Sequence, residues 1–164
     1  MDFATLYEED IETWAELQVA ALRRLAATPG PWANAIDVEH VIEEIEELGA
    51  SEREAVESLL ENAFAHAMKV LQDPESLSAK HWRKEVRSFL RQARKKLKPT
   101  MIRRLDLDGV WTDARAQAAN ALEAFDLSAD GIPVHCPFTL AEIADRDFDL
   151  VAALCRPPGT WRRP

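Results

Sequence analysis

The sequence predicts an all-α protein, and three observations carry that prediction. Apolar residues recur at three- and four-residue steps through most of the chain, the spacing of one helix face. Side chains that cap helices stand where those stripes begin. Glycine is scarce, at 5 of 164 residues, and scarce glycine disfavours turn-rich β architectures. The expected architecture is a single-domain bundle of four to five helices over residues 1–150. An irregular C-terminal segment should carry one short helix, and residues 151–164 should form a flexible tail.

The first helix is expected over residues 5–27. Tyr7, Ile11, Trp14, Leu17, Ala21, Leu22 and Leu25 make its stripe. Glu8, Glu9, Asp10 and Glu12 open it and Arg23 and Arg24 close it, an order that complements the helix dipole. Pro29-Gly30-Pro31 ends it. Asp37 caps a second helix from Val38 to Glu47, whose Val38, Val41, Ile42, Ile45 and Leu48 should face the core. Gly49 is placed to end that helix. Ser51 and Glu54 then form a capping box for a third helix reaching Gln72, closed by Asp73-Pro74.

The third stripe, from Val56 through Phe64 to Leu71, is wide and belongs at the core centre. A fourth helix follows Ser78 and ends near Leu97, before Pro99. Trp82, Val86, Phe89, Leu90, Ala93 and Leu97 face inward. A fifth helical region follows Thr100, with Asp108-Gly109 as a point of division and Trp111, Ala114, Ala118 and Leu122 beyond it. Thr139 to Glu142 is another capping box and opens a helix of about two turns. Trp14, Ile45, Leu60, Phe64, Trp82 and Phe89 are the expected large core residues.

A length of 164 residues suits one apolar core without disulfides. Two cysteines, Cys136 and Cys155, make no disulfide framework and point to a reducing compartment. Met1-Asp2-Phe3-Ala4 lacks the basic and apolar regions of a signal peptide, and no apolar stretch approaches the ~18 residues of a spanning helix. The expected location is the cytoplasm, with no membrane contact. Net charge is −9, unevenly spread: residues 2–61 hold 16 acids and three bases, whereas residues 80–104 hold 11 bases and one acid, Glu85. Such asymmetry fits either a nucleic-acid face or two elements that attract each other within the fold.

Several segments together resemble a bacterial family known as domain of unknown function twenty-nine. They are Leu6 to Asp10 with Trp14, Val41 to Gly49, Ser51 to Leu60, His66 to Lys69, Trp82-Arg83, Pro99-Thr100 and Cys136 to Leu140. The likeness covers residues 5 to about 150. Gly109 departs from it where the family looks continuously helical, and Trp111 stands in place of a usual tyrosine. The resemblance implies an α-helical bundle and no particular activity.

Three sets of residues are candidates for function. Lys84, Arg87, Arg91, Arg94 and Lys95 form a basic face on the helix at 80–98 and could neutralise phosphates. Trp82 and Phe89 fall on its apolar stripe and belong to the core rather than to base stacking. Glu43, Glu44 and Glu47 form an acidic face on the helix at 38–47, and clustered carboxylates on a bundle helix can hold magnesium or iron. A di-iron bundle needs two Glu-x-x-His pairs. Asp37-x-x-His40 is the nearest approach, and Asp37 is committed to capping, so a solvated or paired acidic face is the stronger reading.

His66 sits mid-helix with no ligand spacing to His40, His81 or His135, which suits a boundary histidine. Cys136 lies between His135 and Pro137, but adjacency alone activates no thiol, and Pro137 suggests a rigid docked turn. No cofactor is expected. The sequence reading is a non-catalytic cytoplasmic helical interaction module for a protein partner. Nucleic-acid binding by the basic helix is the first alternative and a metal-dependent hydrolase on the acidic helix the second. Self-association stays open.

Overall fold

The computed structural model describes residues 2–28, 30 and 36–157. Among them are seven α-helices, one 3-10 turn at Met101–Arg103 and no strand, so the protein is all-helical. The helices are α1 (Phe3–Glu9), α2 (Ile11–Ala26), α3 (Val38–Gln72), α4 (Ala79–Lys96), α5 (Leu107–Glu123), α6 (Leu140–Ala144) and α7 (Leu150–Leu154). Two compact units are distinguished, Met1–Ala55 with Lys98–Arg103 and Val56–Leu97 with Arg104–Pro164.

Four boundaries differ from the sequence reading, each for a local reason. The expected first helix is divided at Asp10. Its N–H closes α1 on the Leu6 carbonyl at 2.8 Å, and its carboxylate accepts from the Thr13 backbone N–H at 3.2 Å and from the Thr13 hydroxyl at 2.9 Å. A strong N-cap inside an apolar stripe starts a new helix.

The expected second and third helices are one, because Gly49 does not end a helix. A Cβ on Gly49 would lie 3.0 Å from the Ala15 Cβ, so this glycine serves a close helix crossing rather than a positive φ. Ser51 opens no capping box, since its hydroxyl donates back to the Leu48 carbonyl at 3.2 Å.

Asp108-Gly109 does not divide the fifth helix. Asp106 caps it by accepting from the Gly109 N–H at 3.0 Å. A Cβ on Gly109 would meet the Asp106 carboxylate at 2.6 Å, so a glycine here keeps the cap in place. Within the segment expected as a tail from residue 151, Val151 to Leu154 are helical and Leu154 is fully buried. Asp149 caps that helix by accepting from the Ala152 N–H. Pro158 to Pro164, like Trp32 and its neighbours, lie outside the described residues.

In the first unit, α2 and α3 run antiparallel, with Glu12 meeting Arg53, Ala15 meeting Gly49 and Arg23 meeting Glu46 at 2.6 Å. Glu12 and Glu46, two carboxylates of the acidic block, thus pair with arginines of the same block. The side of α2 that is buried carries Glu12, Ala15 and Val19. This reverses the expectation for its apolar stripe: Leu17 and Leu25 are exposed and Trp14 is half-buried. Val41 and Leu48 of α3 are exposed as well, and Ile45 is half-buried. Small residues permit the close crossing, and that crossing sets the rotation of both helices.

The second unit holds the larger core. Val56, Leu60, Phe64, Met68 and Val70 of α3, Val86 of α4, Trp111 and Leu122 of α5, Ile143 of α6 and Leu150 and Leu154 of α7 are almost completely buried. Trp82 is buried and Phe89 only half-buried. Rings continue the core in edge contacts from Phe64 to Trp111 at 5.1 Å, Trp111 to Phe138 at 6.3 Å and Phe138 to Phe148 at 5.2 Å between centroids.

Two substitutions check this packing by urea unfolding. Phe64→Ala should cost ~3–5 kcal/mol, as loss of a fully buried aromatic ring does. Gly49→Val should cost ~1–3 kcal/mol through overpacking against Ala15, although the change raises helix propensity.

Candidate functional site

The described residues form a groove of about 950 Å³ in the second unit. One wall is α4. Its Trp82, Val86, Leu90 and Ala93 are buried. Arg83, Arg87, Arg91 and Lys95 follow at four-residue steps beside that stripe and line the groove. At 1.5 Å per residue the row is ~18 Å long, with a cation each turn. The other wall runs from Arg146 to Cys155 and carries Asp147, Phe148, Asp149, Leu150 and Val151. The cations of α4 therefore stand across the groove from half-buried Phe148 and Val151, over the buried Val86 and Leu90 of α4 itself.

The second wall is built by short-range capping. Thr139 opens α6 with the expected capping box: the Glu142 N–H donates to its hydroxyl at 3.2 Å, and its own N–H donates to the Glu142 carboxylate at 2.7 Å. A five-residue helix leaves carbonyls unsatisfied at its end. Arg94 supplies their donor. Its Nε donates to the Ile143 carbonyl at 2.8 Å and one terminal nitrogen donates to the Phe148 carbonyl at 3.1 Å, with a longer 3.5 Å approach to the Arg146 carbonyl. Phe148, at the end of the ring series, holds the same loop from the core side.

Of the five basic residues expected as a binding face, Arg87, Arg91, Arg94 and Lys95 are brought together in the groove, and Lys84 is exposed outside its lining. Arg94 is half-buried and spent on backbone carbonyls, so it shapes the site rather than offering charge to a ligand. Sequence reasoning missed Arg83 and the whole wall from Arg146 to Val151. Asp149 followed by Leu150, Ala153 and Leu154 was the available signal, a cap with one apolar turn, too short for periodicity.

Glu43, Glu44 and Glu47 are exposed on α3. Among the described residues no group of three or more His, Cys, Asp or Glu side chains converges as a metal ion requires. Asp37 caps α3 through the His40 N–H at 3.3 Å and also meets the His40 ring at 2.6 Å. That side-chain bond raises the His40 pKa and lowers that of Asp37.

Cys136 is buried, with its thiol toward the Phe138 carbonyl at 3.6 Å. Its N–H donates to Asp108 at 3.0 Å and the Trp111 indole donates to the Pro133 carbonyl at 2.9 Å, so the turn around Pro137 is docked on α5. Cys155 is an exposed thiol on the groove rim. Burial of part of it pushes its pKa up, with Arg83 opposing, the reverse of what activates a nucleophilic thiol.

His66 is half-buried and stacked on Phe89 at 5.8 Å, and its Nδ1 is buried without a hydrogen-bond partner. Burial pushes its pKa down to about 4, helped by Lys69 and opposed by Glu85. Lys69 in turn lies 5.5 Å from the Trp82 ring centre, a cation–π contact.

The model of the family described as Domain of unknown function DUF29 matches residues 6–149. The chain is also similar to an alpha-helical protein of unknown function from Rhodospirillum rubrum, known from a crystal structure. The two share 29% identity with a TM-score of 0.79, over 91% of this chain and 94% of that one. No curated protein matches the chain.

Two outcomes follow from the site's construction. Arg94→Ala should destabilise the protein by roughly 1.5–3 kcal/mol, the range for hydrogen bonds to a charged group, and should speed amide exchange over residues 143–149. His66 stays neutral in the fold, while the unfolded chain takes up its proton at the ordinary value of 6.5. Its contribution is therefore complete above that value and is lost as pH falls from 6.5 toward about 4. Urea melts across that range should show the decline in the native protein and a smaller one in His66→Gln.

Proposed function

The chain belongs to the family Domain of unknown function DUF29, and on that premise we propose that it is a non-catalytic binding module of the cytoplasm. Its groove between α4 and residues 146–155 takes an acidic, partly apolar segment of a partner protein. One observation carries the reading: a row of cations, Arg83, Arg87, Arg91 and Lys95, stands across the groove from the apolar side chains of Phe148 and Val151, over a floor that Val86 and Leu90 close. Apolar burial supplies affinity without direction. The charges supply orientation and speed of encounter. A helix or strand with carboxylates along one edge and apolar groups beside them satisfies both walls. No helix among the described residues is long and apolar enough to cross a membrane.

The spacing of the row also favours a second reading, because one cation per helical turn suits successive phosphates of a nucleic acid. Two features weigh against it, and more heavily on a polyanion than on a short segment with few carboxylates. Asp147 and Asp149 stand on the facing wall and repel a polyanion. A net charge of −9 repels phosphates at long range. Binding that depended on the row would also weaken steeply with salt, since each neutralised phosphate releases counterions.

Selection from an unbiased peptide library separates the two. Selected peptides should be rich in Asp and Glu interspersed with Leu, Ile or Phe. Combined Arg87→Glu and Arg91→Glu, in a protein with an unchanged helical spectrum, should weaken them at least about tenfold, a change of ~1.4 kcal/mol. Peptides indifferent to that double change would refute the groove as their site. Micromolar or tighter binding of DNA or RNA at about 0.15 M salt, lost in the same variant, would favour the second reading.

A further inference from the structure

Helix α2 packs on α3 through Glu12, Ala15 and Val19. Half a turn away it carries Trp14, Leu17, Ala21 and Leu25, at steps of three, four and four residues. That is the pattern of a contact face, yet Leu17 and Leu25 are 45% and 40% exposed and Ala21 is exposed too. Tyr7 of α1, itself exposed, stands edge-on to Trp14 at 4.9 Å and extends the face.

We propose that this face binds a second copy of the chain, with the two α2 helices antiparallel about a two-fold axis midway between Leu17 and Ala21. The residues of the stripe are uncharged; Thr13, Gln18 and Ala20 flank it, and Arg24, seven residues after Leu17, borders its end. Two copies of an acidic protein therefore meet there without burying like charges. Charge is polarised about the stripe instead: Asp10 caps the start of α2, with Glu8 and Glu9 of α1 just before it, and Arg24 lies near the end. An antiparallel pair sets Leu17 against Ala21 and Arg24 against Trp14, with Asp10 one turn beyond. The two-fold repeats each contact. A parallel pair would set Arg24 against Arg24 and the acidic starts against each other. The pairing thus has self-complementary charge in one orientation alone.

The contact is small. Sixteen residues of α2 span ~24 Å, which places the interface at the low end of specific contacts, below ~1,200 Å². The dimer is correspondingly weak, with a dissociation constant on the order of 10–100 µM.

Sedimentation equilibrium on the full chain from about 5 to 500 µM tests it, a range chosen to bracket that constant. The average mass should rise from 18.5 kDa toward twice that value. Leu17→Glu with Leu25→Glu should weaken association at least about tenfold. Ala21→Arg, a change at an exposed helical position, gives the same readout if the double variant does not fold.

Orientation is read in a Cys155→Ser background by mixing Leu17→Cys and Ala21→Cys chains under oxidation. From equal amounts of the two chains, cross-linked heterodimers should clearly exceed the half share that random pairing gives. A monomer at every concentration, association that ignores the substitutions, or heterodimers at or below that share would each overturn the proposal. The groove on α4 plays no part in this test.

Discussion

The groove depends on one run of aromatic rings. Phe64 at the centre of α3 meets Trp111 of α5, Trp111 meets Phe138, and Phe138 meets Phe148. Each contact is edge-on, the arrangement that ring quadrupoles favour. The run leads from the buried middle of the second unit to the loop that forms the far wall. Trp111 is its pivot, because the indole nitrogen also holds the Pro133 carbonyl and so ties down the turn that presents Phe138. This gives physical content to Trp111: a large ring with its donor at the edge both fills the core and anchors a loop.

Arg94 does from the polar side what Phe148 does from the apolar side. The last turn of α6 and the loop after it leave carbonyls open, and a guanidinium from α4 reaches those of Ile143 and Phe148 within 3.1 Å. The same helix thus divides its cations between structure and surface. Arg94 is used internally, while Arg91 and Lys95 beside it remain exposed. Helix α4 can therefore present a charged row at a fixed distance from an apolar wall, which a set of solvated lysines on a free helix could not do.

The helical class was legible because periodicity and caps agreed. Asp37, Thr139 and the stop at Asp73-Pro74 behave as their chemistry predicts. What was illegible depended on contacts distant in sequence. Gly49 beside Ser51 has every local mark of a helix break, and only Ala15, 34 residues earlier, shows why it is a crossing point. The rotation of α2 has the same origin: its apolar periodicity predicts a buried Leu17, while the close approach of Ala15 buries the opposite side. Half of the candidate site was readable as a basic stripe. Its other half comes from a five-residue helix whose pattern is shorter than any periodicity can detect, and whose place is set by Arg94 and the rings rather than by its own sequence.

Cys155 gives the groove a chemical handle. The thiol sits on the rim, exposed at the surface and close enough to Arg83 to feel its charge. Cys136, the other thiol, is buried, so a disulfide-forming fragment has a single accessible address in the described part of the chain. Small acidic compounds carrying a disulfide could be screened by mass spectrometry for those captured reversibly at this position. Fragments retained there would map which shapes the floor accepts, with no natural partner needed to begin. The raised thiol pKa slows indiscriminate reaction and leaves retention to be decided by contacts within the groove.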